Sequence, residues 1–184
     1  MDEDLKYYNE VYSESTEYRK HPSKSRYYHI WKDILSLTNT GESIIEVGCG
    51  SGQLGKLLID NGRNYRSGFD YSEEAIKIAR KLNPKNKSLF FVQDLYDVFR
   101  IDAETVICTE VLEHLDDDLY VFKTLKEGTR FIFSVPDFWY KSHKRVFKTI
   151  QEVEERYTCL EIKRYKKHKT KGGNNIFVVD SIVK

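Results

Sequence analysis

The sequence carries almost no net charge, few cysteines and no long apolar run, and each lack removes a class of protein. Its 30 basic residues stand against 29 acidic ones for a formal charge of +1. No overall field therefore draws the chain to nucleic acid or to an anionic membrane, and any polyanion binding must be local. The three cysteines, Cys49, Cys108 and Cys159, are an odd set spread far apart, with neither zinc-ligand spacing nor the density of a secreted disulfide scaffold. They read as buried thiols in a reducing compartment. No segment approaches the roughly 18 apolar residues of a membrane span, and Met1 to Tyr12 is acidic and aromatic where a signal peptide is basic and then apolar. The expectation is a cytoplasmic protein with no membrane partner. Repeats, linkers and low-complexity stretches are also missing. What is there is 184 residues, 40% apolar and 32% charged, an ordinary globular composition. A domain of this size buries about two-thirds of the surface that its unfolded chain exposes.

From Ser43 onward short β-type runs alternate with helix-type segments, the pattern of an α/β protein whose parallel sheet carries helices on both faces. Ile44 to Val47 is an apolar strand that runs into a glycine cluster, and Gln53 to Ile59 then places Leu54, Leu57 and Leu58 at helical spacing. A strand from Arg66 to Phe69 leads to Asp70. Ser72 is an N-cap, with Glu73 and Glu74 in the first turn of a helix through Leu82 that Asn83-Pro84 stops. Leu89 to Val92, Thr105 to Cys108 and Arg130 to Val135 read as strands, with a helix from about Asp116 to Lys126 between the last two. Val146 to Arg156 reads as an amphipathic helix. Thr158 to Lys163 and Ile176 to Val183 pair as a hairpin around Lys171-Gly172-Gly173-Asn174-Asn175, which reverses the last strand. Residues before Gly41 hold two aromatic-rich helical segments, Tyr7 to Tyr18 and Ser25 to Leu37, with no strands of their own. The expected organisation is a helical lid over 1–40 and one globular unit over 41–184.

The chemistry concentrates in Ile44-Ile45-Glu46-Val47-Gly48-Cys49-Gly50-Ser51-Gly52-Gln53-Leu54. Glycines at a strand-to-helix turn let the backbone approach a ligand that a Cβ would block. The helix that follows presents free N–H groups and a positive dipole end, which favours a carboxylate or a phosphate. Gly50-Ser51-Gly52-Gln53-Leu54-Gly55 also fits the G-x-G-x-x-G string of dinucleotide sites, a weak signal taken alone. Glu46 in an E-x-G-x-G-x-G frame, the late position of the glycines and the lack of room for a separate catalytic domain argue against it.

Four motifs recur in order: Glu46-Val47-Gly48-Cys49-Gly50-Ser51-Gly52, the acid Asp70, Gln93-Asp94-Leu95, and Thr109-Glu110-Val111-Leu112-Glu113-His114-Leu115. In this the chain resembles the class I S-adenosylmethionine-dependent methyltransferases, especially the family with the ubiquinone and menaquinone biosynthesis methyltransferases, over roughly Ser43 to Pro136. The resemblance implies a Rossmann-like, seven-stranded, mostly parallel sheet with an antiparallel last strand. It implies S-adenosyl-L-methionine as cofactor and S-adenosyl-L-homocysteine as product. Glu46, Gly48, Cys49, Gly50, Gly52, Gln53 and Leu54 would form the cofactor loop. Asp70, 18 residues past Gly52, would take both ribose hydroxyls, and Asp94 would accept from the adenine amino group, with Asp97 as its substitute. Leu95 and Tyr71 would line the purine, and Thr109 and Glu110 would lie beside the methionine moiety.

A sulfonium methyl is already activated, so the protein's main task is to hold an acceptor lone pair in line and exclude water, and a general base is optional. His114 and His143 are the candidate bases. His143 follows the fifth strand at the carboxyl edge of the sheet, where ligands of open α/β sheets bind. Asp137, Tyr140 and Arg145 share that place as substrate contacts, and Tyr8, Tyr12 and Tyr28 fit a cover over the methyl-transfer cavity. Arg26 is a candidate partner for the cofactor carboxylate. No metal is expected, and Glu110 with His114 is disfavoured as a ligand pair. The basic run Lys163 to Lys171 with Tyr165 inside it is the one feature that suits nucleic acid. With the total charge balanced it reads as a solvated hairpin. The acceptor is therefore expected to be a small molecule, a metabolite, sugar or natural-product intermediate. The alternatives are an RNA-directed methyltransferase and a non-catalytic S-adenosylmethionine-binding module.

Overall fold

The buried stripe Ile44, Val47 and Phe69 and the run Val106, Ile107, Cys108 are apolar enough to be covered on both sides, as central parallel strands require. A computed structural model describes residues 3–184, which form two compact units, one ending at Asp97 and one beginning at Val98. In the first unit the order is α1 (Glu3–Glu14), α2 (Tyr28–Leu37), β1 (Ser43–Val47), α3 (Gln53–Asp60), β2 (Asn64–Asp70), α4 (Glu73–Leu82) and β3 (Phe90–Val92). β2 lies between β1 and β3 and is parallel to both. α4 starts where the sequence predicts, because the Ser72 hydroxyl accepts from the Ala75 N–H, and it ends at Asn83-Pro84. The predicted helix over Tyr7 to Tyr18 is instead α1 followed by a 3₁₀ turn, Thr16–Arg19, which Ser15 caps through the Glu17 N–H. α2 bears on α3 and α1 on α4, so the N-terminal segment is part of this unit's packing.

The second unit holds β4 (Thr105–Thr109), α5 (Tyr120–Lys123), β5 (Arg130–Pro136), α6 (Ile150–Arg156), β6 (Leu160–Lys169) and β7 (Asn175–Val183). β4 and β5 are parallel, and β7 runs antiparallel to both β5 and β6. The seven strands follow the order β3-β2-β1-β4-β5-β7-β6, a mixed sheet whose reversed strand is the last in sequence, as expected. Phe131 and Phe133 of β5 pack ring against ring with Phe122, Phe147 and Tyr157 at 5.2–5.6 Å within this unit. Among the described residues, no helix is long and apolar enough to cross a membrane.

Other element lengths also differ from the sequence expectation. The helix over Asp116 to Lys126 is only α5, since the preceding residues turn to bury Asp118 against Arg156, at 2.5 Å, and the Tyr157 hydroxyl, at 2.9 Å. The helix over Val146 to Arg156 begins at Ile150, because the Phe147 N–H donates to the Pro136 carbonyl and Thr149 caps α6. The first hairpin strand extends to Lys169, held by its register with β7 although its outward residues are charged.

Candidate functional site

After β1 the backbone enters the left-handed region at Gly48, Gly50 and Gly52, with φ of 66°, 51° and 68°. L side chains rarely adopt this conformation, and a Cβ on Gly52 would come within 2.8 Å of the Ala79 Cβ. The loop is tied to the end of β2 through Asp70. Its Oδ2 accepts from the Gly50 N–H and its Oδ1 from the Ser72 N–H, each at 2.9 Å. Burial pushes the Asp70 carboxyl up to about 6 in spite of these bonds. Each oxygen keeps a further lone pair, which suits the bidentate acceptor role expected for ribose hydroxyls. Over Gly50 lies the Tyr12 side chain, whose hydroxyl would be only 2.6 Å from a Cβ at that position, so only a glycine lets this ring close on the loop. The glycine loop and its acid thus fit a nucleoside cofactor.

Below the loop, Glu46 is buried and accepts a 2.7 Å hydrogen bond from the Tyr65 hydroxyl, while burial raises its carboxyl to about 8. It braces the loop from underneath. Gly68 makes room for this pair, since a Cβ there would lie 2.0 Å from the Tyr65 hydroxyl. Cys49 is a buried thiol whose N–H donates to Phe69, and Leu54 is core. The Gln53 amide donates to the backbone of Glu17 and Lys20, which fastens the N-terminal segment to the loop helix. Asn9 does the same for α4 by accepting from the Ser72 hydroxyl at 2.7 Å. Tyr12 packs on Tyr18, Tyr8 on Tyr71, and Tyr28 carries Lys32 over its ring. Asp94 is exposed, with Leu95 buried beside it, and its Oδ1 accepts from the Tyr96 N–H. Arg26 stacks at 5.0 Å on Tyr27.

A second group follows β4 and β5 within the second unit. Thr109 closes β4, and Glu110 stands in the left-handed region at φ 55°. Ser134 accepts from the Glu110 N–H at 3.0 Å and donates to Glu110 Oε1 at 2.8 Å. The two candidate bases, His114 and His143, meet with ring centroids 4.8 Å apart. Burial lowers His143, against the pull of the Phe138 carbonyl on its ring. Tyr140 is exposed at the rim, 6.0 Å from the His143 ring. Arg145 donates to the carbonyls of Leu112, Leu115 and Asp116, so its guanidinium clamps the turn after β4. Asp137 accepts from the backbone and side-chain N–H groups of Asn175, each at 2.7 Å, and so pins β7. Sequence reasoning overlooked Glu113, which is fully buried with no hydrogen-bond partner on either carboxylate oxygen. Its place inside the Glu110 to His114 string was the available signal.

A glycine loop after the first strand, braced by an acid at the end of the second, defines a nucleotide-binding protein of the Rossmann-like class. A family model described as a methyltransferase domain matches residues 18–166, and the chain belongs to that family. It is similar to the ubiquinone biosynthesis O-methyltransferase of Hydrogenovibrio crunogenus, 31% identical over 61% of this chain and 49% of that protein. It is also similar to the ribosomal protein L11 methyltransferase of Caldanaerobacter subterraneus, 30% identical over 56% of this chain and 41% of that one. The chain spans about half the length, or less, of these curated relatives. Among solved structures, magnesium protoporphyrin IX methyltransferase from Synechocystis PCC 6803 with bound SAH superposes with a TM-score of 0.68 at 18% identity, covering 85% of this chain and 83% of that one. The PH0226 protein of Pyrococcus horikoshii OT3 gives 0.70 at 20% identity over 93% of each chain. These likenesses carry the fold.

Proposed function

We propose that the chain binds S-adenosyl-L-methionine at the loop after β1 and transfers its methyl group to a hydroxyl of a small-molecule acceptor, releasing S-adenosyl-L-homocysteine. The observation that carries this reading is the tie between Asp70 and the Gly50 N–H, which fixes a left-handed glycine loop and a buried carboxylate at one place. When bound, the cofactor supplies a methyl group activated on a positively charged sulfur. Asp70 would orient the ribose, Asp94 would receive the adenine amino group, and Tyr8, Tyr12 and Tyr71 would exclude water above them. Pre-positioning of this kind can supply roughly 7 to 11 kcal/mol of a transfer barrier.

The hydroxyl acceptor is supported by the O-methyltransferase relatives, and the protein acceptor named for the L11 relative is the reason to test it directly. A nucleic-acid acceptor has less support. Within the basic strand, Lys163 pairs with Glu161, Arg164 with Asp180 and Lys167 with Asp137, so much of its charge is neutralised by the chain itself. Purified protein incubated with S-adenosyl-L-methionine and a library of phenols, sugars and hydroxy acids should release S-adenosyl-L-homocysteine with at least one of them. Release with RNA or with a ribosomal protein, and with no small molecule, would replace this reading. Cofactor binding without turnover on any acceptor would favour a regulatory module.

A further inference from the structure

One cluster has no task in the reading above. Glu113, His114 and His143 each bring a donor atom to one place, all within 4.8 Å of one another. They lie in the segments that follow β4 and β5, at the carboxyl edge where open α/β sheets bind ligands. Clusters of acids and histidines are common on surfaces, but this carboxylate is inside. Glu113 is fully buried, and neither Oε1 nor Oε2 has a hydrogen-bond partner. A carboxylate removed from water in this way is costly unless a cation or donor compensates it. The Arg145 guanidinium acts on this carboxylate only through its charge, its own N–H groups being engaged by backbone carbonyls, and His114 Nε2 stands 3.8 Å from Oε1. That is too far for a hydrogen bond and close to the separation, about 3 to 4 Å, of two ligands on one ion at ligand distances of about 2 Å.

Both imidazoles are held in the tautomer a cation needs. His143 Nδ1 lies 3.0 Å from the Phe138 carbonyl oxygen, and His114 Nδ1 lies 3.2 Å from the Ser142 carbonyl oxygen and the same distance from the Ser142 hydroxyl. A carbonyl only accepts, so each Nδ1 carries the proton and each Nε2 presents a lone pair. Metal-binding histidines are oriented by bonds of this kind. Ser142 makes its contacts from a left-handed backbone at φ 79°, a strain that persists where the surroundings over-determine it.

We infer that Glu113, His114 and His143 hold one divalent transition-metal cation through a carboxylate oxygen and two Nε2 atoms, with an open position for an acceptor oxygen. Two imidazoles and one carboxylate suit Zn²⁺, Mn²⁺ or Fe²⁺ rather than Ca²⁺ or Mg²⁺, which take mostly oxygen. Three protein ligands with an open position is the arrangement of catalytic rather than structural sites. The inference replaces the sequence expectation of no metal, and its chemical role rests on the methyl-transfer reading. A cation held there would lower the pH at which an acceptor hydroxyl gives up its proton to solvent. Methylation of such an oxygen would form one C–O bond and leave the S–CH₃ pair on sulfur, giving a methyl ether, S-adenosyl-L-homocysteine and one proton.

The full chain, stripped with a chelator and dialysed, is titrated with Zn²⁺, Mn²⁺ and Mg²⁺ by calorimetry and with Co²⁺ by visible absorption, alongside His143→Ala and Glu113→Gln. S-adenosyl-L-homocysteine is titrated in parallel. One Zn²⁺ or Mn²⁺ per chain is expected, with affinity reduced by about 100-fold or more in the variants, beyond what outer-shell changes cost. Co²⁺ bands should appear in the unaltered chain and vanish in His143→Ala, a half-buried loop position, with circular dichroism used to check that the variant folds. A folded chain that takes up no transition metal, or one that binds it as tightly in His143→Ala, overturns the site. Loss of S-adenosyl-L-homocysteine binding alone would remove the methyl-transfer reading and leave the metal result standing.

Discussion

Two buried carboxylates in this molecule have opposite surroundings. Asp70 accepts a backbone N–H on each oxygen, whereas Glu113 accepts from none. Burial raises both above the usual carboxylate range. Asp70 is finished by its own chain: the glycine loop bends so that the Gly50 N–H reaches it. Glu113 is left to be completed from outside, although the backbone around it is equally well held by Arg145 and by the Lys144 N–H. The contrast separates a site preformed by backbone geometry from one whose electrostatics close only when a cation arrives.

That contrast can be attacked from the strongest expected effect to the weakest. Gly52→Val places a branched side chain at φ 68° with its Cβ against Ala79 and Phe90, and urea unfolding should show a loss of about 3 kcal/mol or more. Asp70→Ala leaves two buried N–H groups without an acceptor, worth about 1 to 3 kcal/mol each at most, and cofactor affinity in calorimetry should fall at least about tenfold.

Glu46 provides a pH signature. Its folded value of about 8 lies above the roughly 4.3 of an unfolded glutamate, so the folded state holds the extra proton. This contribution is complete below the unfolded value and is lost as pH rises through the folded one. Between pH 6 and 8 stability should fall by about 1.4 kcal/mol per pH unit, and Glu46→Gln should flatten that slope in urea titrations. Glu113→Gln should be the mildest change. In chelator the neutral amide replaces an unpaired acid at a cost within about 1 kcal/mol, while Asp70→Asn, which breaks a satisfied group, should cost more. Equal losses for the two would erase the distinction.

The strand alternation, the Ser72 cap, the glycine loop and the acid ending β2 were legible in the sequence because each is a local pattern with a local cause. The expected helix over Asp116 to Lys126 failed because Asp118 is drawn inward by Arg156 and Tyr157, 38 and 39 residues away, which no window on the sequence reports. β6 ran past its predicted end because pairing with β7, not hydrophobic alternation, holds its lysines in line. In the candidate site, Gly50 and Asp70 could be read from motif order, and so could the paired histidines as individuals. Asp137 and Arg145 look like ligand contacts by position, yet each is engaged with its own chain through bonds to Asn175 and to the turn carbonyls. Glu113 escaped notice because its burial is a tertiary fact, and so is the absence of a hydrogen-bond partner on its two oxygens.

A crystal structure of the chain grown with S-adenosyl-L-homocysteine would put the account at most direct risk. The ligand should lie against Gly48 to Gly52 with its ribose hydroxyls on the Asp70 carboxylate. Density elsewhere, or a pyrophosphate in that loop from added NAD, would contradict it.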